Sequence, residues 1–410
     1  MSVTDKLPRL APAQGDVVAE KLPAFLFLIV SPLAVAAHLG VAALLIVGGV
    51  IAIAANPRVA VDARSLRPLI VLLIVLSLWA AASSVWSVNS QQSRSEIWKF
   101  LAVEAMGLVL LGSALILRVE ARRRVLYYAA SGISIAIAGL AVLAIMNYSG
   151  SFPVADYRNG ATVVMLIACP IIVGLFDQGR RRTGIAIGLF MTIVVVAIGN
   201  EATKLALAVS IVVLPAALFF PKTVAAMIGL ALATMIFLMP LASFSDAFVS
   251  KIHQMAPWIG SSGLHRLIIW GFTNDAIGAR PFLGWGFDAA HYLPPGPALQ
   301  EMPQLSYPVP AGFGKVPHHP HNAALQWRVE LGLPGAILCL SIALWSLWRI
   351  CLSGWSRSSK ASALVAASAT LTIASLSYGF WQTWWFSCIW LVAILTVACG
   401  RSSPDSRHEI

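Results

Sequence analysis

The amino-acid sequence predicts an all-α, polytopic membrane protein, and three observations carry that prediction. Of 410 residues, 59% are apolar and 11% are charged, and the mean hydropathy is +0.82, a balance that does not suit a soluble domain. The apolar residues come in successive stretches of about 16 to 25, the length a helix needs to cross the hydrocarbon of a bilayer. These stretches are too long and too evenly apolar for barrel strands, which leaves the helix as the structure that satisfies every backbone N–H and C=O in hydrocarbon.

In chain order, an N-terminal arm (1–21) precedes expected spans at 22–37, 39–55, 68–86, 97–117, 125–147, 161–176, 185–200, 203–220 and 222–243. A polar stretch at 244–319 follows, then spans at 320–349, 361–379 and 381–399 and a tail at 400–410, about twelve spans in all. The first stretch, after Lys21, has the length of a signal-peptide core. A second apolar segment follows Gly40 at once, so the first reads as a retained signal anchor. When the spans alternate across a bilayer, most of the 28 Lys and Arg fall on one side: the arm, Arg58 to Arg67, Arg118 to Arg124, Arg180 to Arg182, Lys222, Arg349 to Lys360 and the tail. The positive-inside rule makes that side the cytoplasm, with both termini in it and 244–319 on the opposite face. The net charge of +11 is therefore a topogenic signal rather than a nucleic-acid footprint. All five cysteines lie in or at the ends of expected spans, which implies no disulfide framework. No repeat of 20–50 residues is visible, so an inverted-repeat transporter has no support.

The stretch 244–319 is too long for a connector. After Ser261-Ser262-Gly263, the residues Leu264, Leu267, Ile268, Trp270, Gly271 and Ile277 recur near helical spacing and predict an amphipathic helix over 263–279. Pro281, Gly284 and Gly286 break it, and 287–317, rich in Pro, Gly and aromatics, reads as an irregular lid or cavity wall. The loop closes on His318-His319-Pro320-His321-Asn322. The next span carries Arg328 and Glu330, ionisable groups whose cost at membrane depth points to function. At about 100° per residue, a continuous helix would bring Arg328, Gly332 and Gly335 within roughly 40° of His321 and set Arg328 about 10 Å deeper. That stripe is expected to face a cavity, with Glu330 pointing away from it.

Arg266 and Trp270, the run Arg280-Pro281-Phe282-Leu283-Gly284-Trp285-Gly286-Phe287 and the histidine motif together resemble the bacterial O-antigen ligase family, within the O-antigen ligase/polymerase superfamily. That family's loop ends in a histidine followed by Asn, Ser or Gln, nine residues and Gly-x-x-Gly. His321, Asn322, Gly332 and Gly335 match that spacing, with Ala336 where the family usually has Thr or Asn. The resemblance covers roughly 60 to 345 and includes Ser84-Val85-Trp86-Ser87-Val88-Asn89 and Arg158 before Gly160. Thr203-Lys204 departs from a frequent Ser-Arg pair; lysine keeps the charge but lacks the planar fork that suits phosphate.

The resemblance implies a GT-C-like glycosyltransferase of the bacterial inner membrane, working on the periplasmic face and similar in logic to oligosaccharyltransferases. It implies an undecaprenyl-diphosphate-linked glycan as donor and lipid A-core as acceptor, as in lipopolysaccharide biosynthesis, with membrane lipids around it and no nucleotide sugar, cofactor or obligatory metal. Such a transfer needs a base for the hydroxyl proton and cations for the leaving diphosphate. His321 is the expected base and Arg266 the expected catalytic cation. Arg158, Lys204 and Arg328 are the expected diphosphate contacts, and Asn322, His319, Gly332 and Gly335 the expected support.

Other readings stay open at this stage. Arg158 and Lys204 could snorkel to headgroups, and Arg280 could support only the loop. Trp86, Trp285 and the Trp381, Trp384 and Trp385 group fit interfacial aromatic belts. The acceptor is not fixed: an O-antigen or exopolysaccharide polymerase, or a protein O-oligosaccharyltransferase, would use the same groups. A lipid or polysaccharide transporter would also have many spans.

Overall fold

The computed structural model describes residues 14–55, 64–148, 157–294 and 319–400. The chain is helical, and no strand occurs among the described residues. Among the described residues nine α-helices precede the loop: α1 Gln14–Ala37, α2 Gly40–Ala55, α3 Arg67–Ser83, α4 Ser90–Leu115, α5 Val119–Tyr148, α6 Arg158–Asp177, α7 Arg181–Ile198, α8 Glu201–Phe219 and α9 Pro221–Phe237. The loop contributes α10 Asp246–Met255 and α11 Ser261–Ala279, after which come α12 Ala323–Leu352, α13 Arg357–Ala374 and α14 Thr383–Cys399.

Each of the twelve expected segments is occupied by a helix, and the expected amphipathic helix is α11. Among the described residues seven helices are long and apolar enough to cross a membrane: α4 to α9 and α12. Four more, in α1, α2, α3 and α14, are apolar but shorter. The short α10 was not anticipated, although Ser245 opens it with an N-cap, its hydroxyl accepting from Phe248 N–H at 3.4 Å. The expected lid at 287–317 lies mostly outside the described residues, as does His318; the described part ends in a short 3-10 turn at Ala290–Tyr292.

Helix α1 packs against α2, α5 and α6, α12 against α3 and α9, α13 against α8, and α14 against α4. The bundle has two chemically distinct ends. At one, Arg122 donates to the carbonyls of Leu117, Val397 and Gly400, Arg123 to Tyr127, and Lys360 to Cys351 O. The other end gathers the N-termini of α4, α6, α8, α12 and α14 with the loop helices.

The feature that shapes this second end is a break in α12. Gly332 has φ +65° and ψ −164°, and Pro334 follows, so the helix stops and restarts. The carbonyls just before the break are released to outside donors. Trp285 N–H donates to Val329 O at 2.8 Å, Gly286 N–H to Glu330 O at 2.9 Å, and the Trp79 indole to Leu331 O at 2.9 Å. Leu333 N–H returns the pairing to Pro281 O at 3.1 Å. The loop segment 281–286 therefore lies along 329–333 like a paired strand. A Cβ on Gly332 would overlap the Phe282 carbonyl, and one on Gly284 the Glu330 carbonyl.

This corrects the expected stripe. His321 lies before the helix with φ +55°, Asn322 is the extended N-cap, and Gly332 interrupts the register, so His321, Arg328, Gly332 and Gly335 do not share one face. Arg328 donates to Pro281 O at 3.1 Å and so reaches the loop backbone. Glu330 turns inward and is fully buried.

Gly332→Ala should cost about 1–3 kcal/mol from backbone strain alone. The expected readout is a lower thermal midpoint in detergent and new protease cleavage within 281–290. An unchanged midpoint and cleavage pattern would show that the loop does not depend on the break.

Candidate functional site

The site is built on the turn 375–382, which joins α13 to α14. Turn carbonyls have no helical ladder to join, and two expected site residues satisfy adjacent ones just past the C-cap Ser375. Arg266, on α11, donates from Nε to Leu376 O at 2.6 Å, while its Nη1 holds Ser262 through the carbonyl at 2.9 Å and the hydroxyl at 2.7 Å. His321 contacts Ser377 O through Nδ1. A carbonyl only accepts, so Nδ1 carries the proton and the Nε2 lone pair remains as the basic position.

Burial pushes the His321 pKa down from 6.5 to about 4; the Ser377 carbonyl opposes this, and the Arg266 and His265 charges add to it. The imidazole is thus neutral at physiological pH. Burial also lowers the Arg266 pKa from its usual value. His319 supports the motif: its Nδ1 accepts from His321 N–H at 3.3 Å, its ring meets the His321 ring edge-on at 4.3 Å, and it lies against Gly379. Asn322, nearly fully buried, caps α12 by accepting from Leu325 N–H at 3.1 Å.

The same turn reaches the N-termini of α6 and α8 through Tyr378. Its hydroxyl donates to Asn159 Oδ1 at 2.7 Å, lies 3.2 Å from Thr162 Oγ1 and accepts from Asn200 Nδ2 at 3.3 Å. Thr162 and Thr203 hydroxyls meet at 2.6 Å, and Asn200 caps α8 by accepting from Thr203 N–H at 2.8 Å. Arg158 stands one turn before Thr162 and Lys204 directly follows Thr203. The threonine pair thus fixes the spacing of two helix N-termini, each with a cationic side chain and its own partial positive charge. Arg158 is exposed; Lys204 Nζ donates to Glu201 Oε1 at 3.0 Å.

The opposite wall is fixed by Glu330. Its carboxylate accepts from Asp288 N–H, Ala290 N–H and Gln326 Nε2 at 3.2 Å each and from the Trp381 indole at 2.6 Å. Gln326 in turn accepts from Phe380 N–H at 2.7 Å. A cavity of about 890 Å³ opens between this wall and the Tyr378 turn.

The structure therefore brings His321, Arg266 and His319 to one turn, with Asn322 capping the helix that follows His321, and links that turn through Tyr378 to the helix N-termini that carry Arg158 and Lys204. It does not bring in Arg328 or Gly332, which serve the docking of 281–286, or Gly335, which packs against the Leu331 side chain. Trp381, Trp384 and Trp385 are buried rather than belted at an interface, and the Trp86 and Trp285 indoles donate to Leu283 O and Ala276 O. Arg280 does support the loop, its guanidinium lying 4.1 Å from the centre of the Trp285 ring. Tyr378, Asn159 and Thr162 were missed, and Glu330, singled out for its charge, was expected to point away. Asn200 just before an apolar run was the one legible signal among their partners. Among the described residues no three of His, Cys, Asp and Glu are grouped to hold a metal ion.

Residues 186–340 match the model of a family described as O-antigen ligase, a segment that includes Lys204, Arg266 and His321. Three relatives that carry the name "putative polysaccharide ligase" come from Rickettsia. The chain is 25% identical to that of Rickettsia felis over 255 residues, 61% of this chain and 60% of the relative. It is 24% identical to that of Rickettsia conorii over 251 residues, 60% of this chain and 59% of the relative. It is 34% identical to that of Rickettsia prowazekii over 142 residues, 33% of this chain and 32% of the relative. The chain thus spans less than two thirds of the length of each of these relatives.

Because the fold holds His321 neutral, the unfolded chain binds more protons between about pH 4 and 6.5. Stability should be level above pH 6.5 and fall as pH drops toward 4, by at most about 3 kcal/mol. Thermal unfolding of the wild type and His321→Gln across pH 4–8 isolates this part. Equal pH slopes for the two proteins would refute the assignment.

Proposed function

Taking an O-antigen ligase family protein as the premise, we propose that the chain is a GT-C-like glycosyltransferase of the bacterial inner membrane. On this reading it crosses the membrane twelve times, keeps both termini in the cytoplasm and works at the periplasmic face. It transfers a glycan from undecaprenyl diphosphate to a sugar hydroxyl of lipid A-core. The observation that carries the reading is the clamp on the turn after α13: His321 and Arg266 hold adjacent carbonyls, so a base and a cation stand at a fixed spacing.

In the proposed step, the acceptor hydroxyl gives its proton to His321 Nε2 while its oxygen bonds to the anomeric carbon. The bond from that carbon to the diphosphate oxygen breaks, and the diphosphate leaves with the electron pair. Arg266 and the cations at the α6 and α8 N-termini, Arg158 and Lys204, balance the charge that develops. A diphosphate beside Arg266 also offsets the guanidinium's depressing effect on His321, so the base strengthens when donor is bound. Lys204 binds it as a point charge shared with Glu201 rather than through a bidentate fork. Arg328 is left out of this set because its guanidinium holds Pro281 O.

The test is a reaction of the purified protein with undecaprenyl-diphosphate glycan, with and without lipid A-core. Product that requires lipid A-core is expected, with His321→Ala and Arg266→Ala each slower by roughly 10²–10⁴-fold. Longer lipid-linked chains formed without lipid A-core would replace the ligase reading with a polymerase. No product under any condition would overturn the enzyme reading altogether.

A further inference from the structure

The cavity beside the Tyr378 turn has a chemistry that the transfer step does not use. Its volume of about 890 Å³ falls within the range of small-ligand sites, roughly 300–1,000 Å³. Amide side chains of Gln92 and Gln382 line it half-buried and offer donor and acceptor atoms, the pairing that vicinal hydroxyls require, while those of Asn159 and Gln326 are held within the wall. Tyr292 stands at its edge, 39% exposed, with a ring face that a pyranose could cover.

The charges in this wall are acidic. Glu96 and Asp288 line the cavity together with the histidines His38, His291 and His319, whereas no lysine or arginine does so among the described residues, so its fixed charges are the two carboxylates. Asp288 is placed there by backbone. It has φ +51°, its N–H is held by the buried Glu330 carboxylate, and its own Oδ2 accepts from Gln92 Nε2 at 3.0 Å. The carboxylate is thus fixed in a wall that cannot swing away. Glu96 pairs with Lys99 at 2.6 Å, but Lys99 itself stays outside the cavity. Two carboxylates in a partly enclosed space attract ammonium groups and repel phosphate or carboxylate groups, an effect that low dielectric strengthens.

We infer that this cavity is a glycan subsite selective for sugars that are neutral or carry free amino groups, and that Glu96 and Asp288 reject glycans bearing phosphate or carboxylate at that position. The inference deepens, and rests on, the reading of the chain as a glycan transferase. It separates two duties in one site: cations at the α6 and α8 N-termini receive the diphosphate, and the acidic cavity receives sugar.

The experiment is binding of the purified full chain in detergent to an array of bacterial-type oligosaccharides grouped as neutral, amino-bearing, and phosphate- or uronate-bearing. Wild type is expected to bind the first two groups and to bind the anionic group about tenfold more weakly. Glu96→Gln with Asp288→Asn should gain about tenfold on the anionic group, lose about tenfold on the amino group and keep its neutral binding. Asn tolerates the left-handed backbone at 288, and Glu96→Gln alone serves as the second variant should the pair fail to fold. Equal wild-type binding to all groups, binding to none, or an unchanged profile in the variants would overturn the inference. The transfer assay on the same preparation keeps the two readings apart: transfer without selectivity sinks only the subsite, and selectivity without transfer sinks only the ligase.

Discussion

The outer end of the molecule depends on one interruption: the helix that begins at Ala323 stops at Gly332. A continuous helix would keep the carbonyls of Val329, Glu330 and Leu331 for itself. Broken, it leaves them buried and unpaired, a cost of about 1–3 kcal/mol for each orphaned group. Trp285, Gly286 and the Trp79 indole supply the missing donors. The helix therefore needs the loop as much as the loop needs the helix. Gly284 and Gly332 are both required, because each backbone approaches where the other's Cβ would stand. Glu330 extends the arrangement one layer further. Its buried carboxylate would be costly alone, but with four donors it ties loop, helix and the 380–381 turn into one piece.

A second dependence follows from the end of α13. The carbonyls of Leu376 and Ser377 lie in the turn just past its C-cap Ser375, and Arg266 and His321 take them. For the arginine this is the favourable pole of a helix. For the histidine, the carbonyl stabilises the proton on Nδ1 while burial disfavours a second one, so the ring is held in one tautomer and one charge state. The same turn then presents Tyr378 to the α6 and α8 N-termini. Displacing α13 would shift the base, the first cation and the spacing of the other two together.

Much of the bundle was legible because apolar length and basic loops are local signals. The twelve segments, α11 and the His321-Asn322 motif could all be read from composition and spacing. What failed had a common cause. The stripe through His321, Arg328, Gly332 and Gly335 assumed a continuous helix. The pattern Gly332-Leu333-Pro334 warned against that, but its meaning lies in a pairing with residues about fifty positions earlier. Once the register breaks, Glu330 turns inward and Arg328 is drawn to the loop. The tryptophans at 381, 384 and 385 look like a belt in sequence, because nothing local shows that a buried carboxylate waits for one indole. Tyr378 was hidden inside an expected span, since a single residue at a helix end carries no periodicity.

On the proposed reading, the arrangement of charge also sets direction. A lipid-linked glycan carries its negative charge at the diphosphate and its hydroxyls beyond it. Arg266 and the helix N-termini that carry Arg158 and Lys204 adjoin the Tyr378 turn, and carboxylates Glu96 and Asp288 line the cavity that the turn borders. A reactant entering backwards would set diphosphate against carboxylates and leave the cations without a partner, so both terms oppose it. Orientation is then fixed before any sugar hydroxyl is recognised. The base at His321 needs only to stand where the two regions meet, and the end of α13 holds it there.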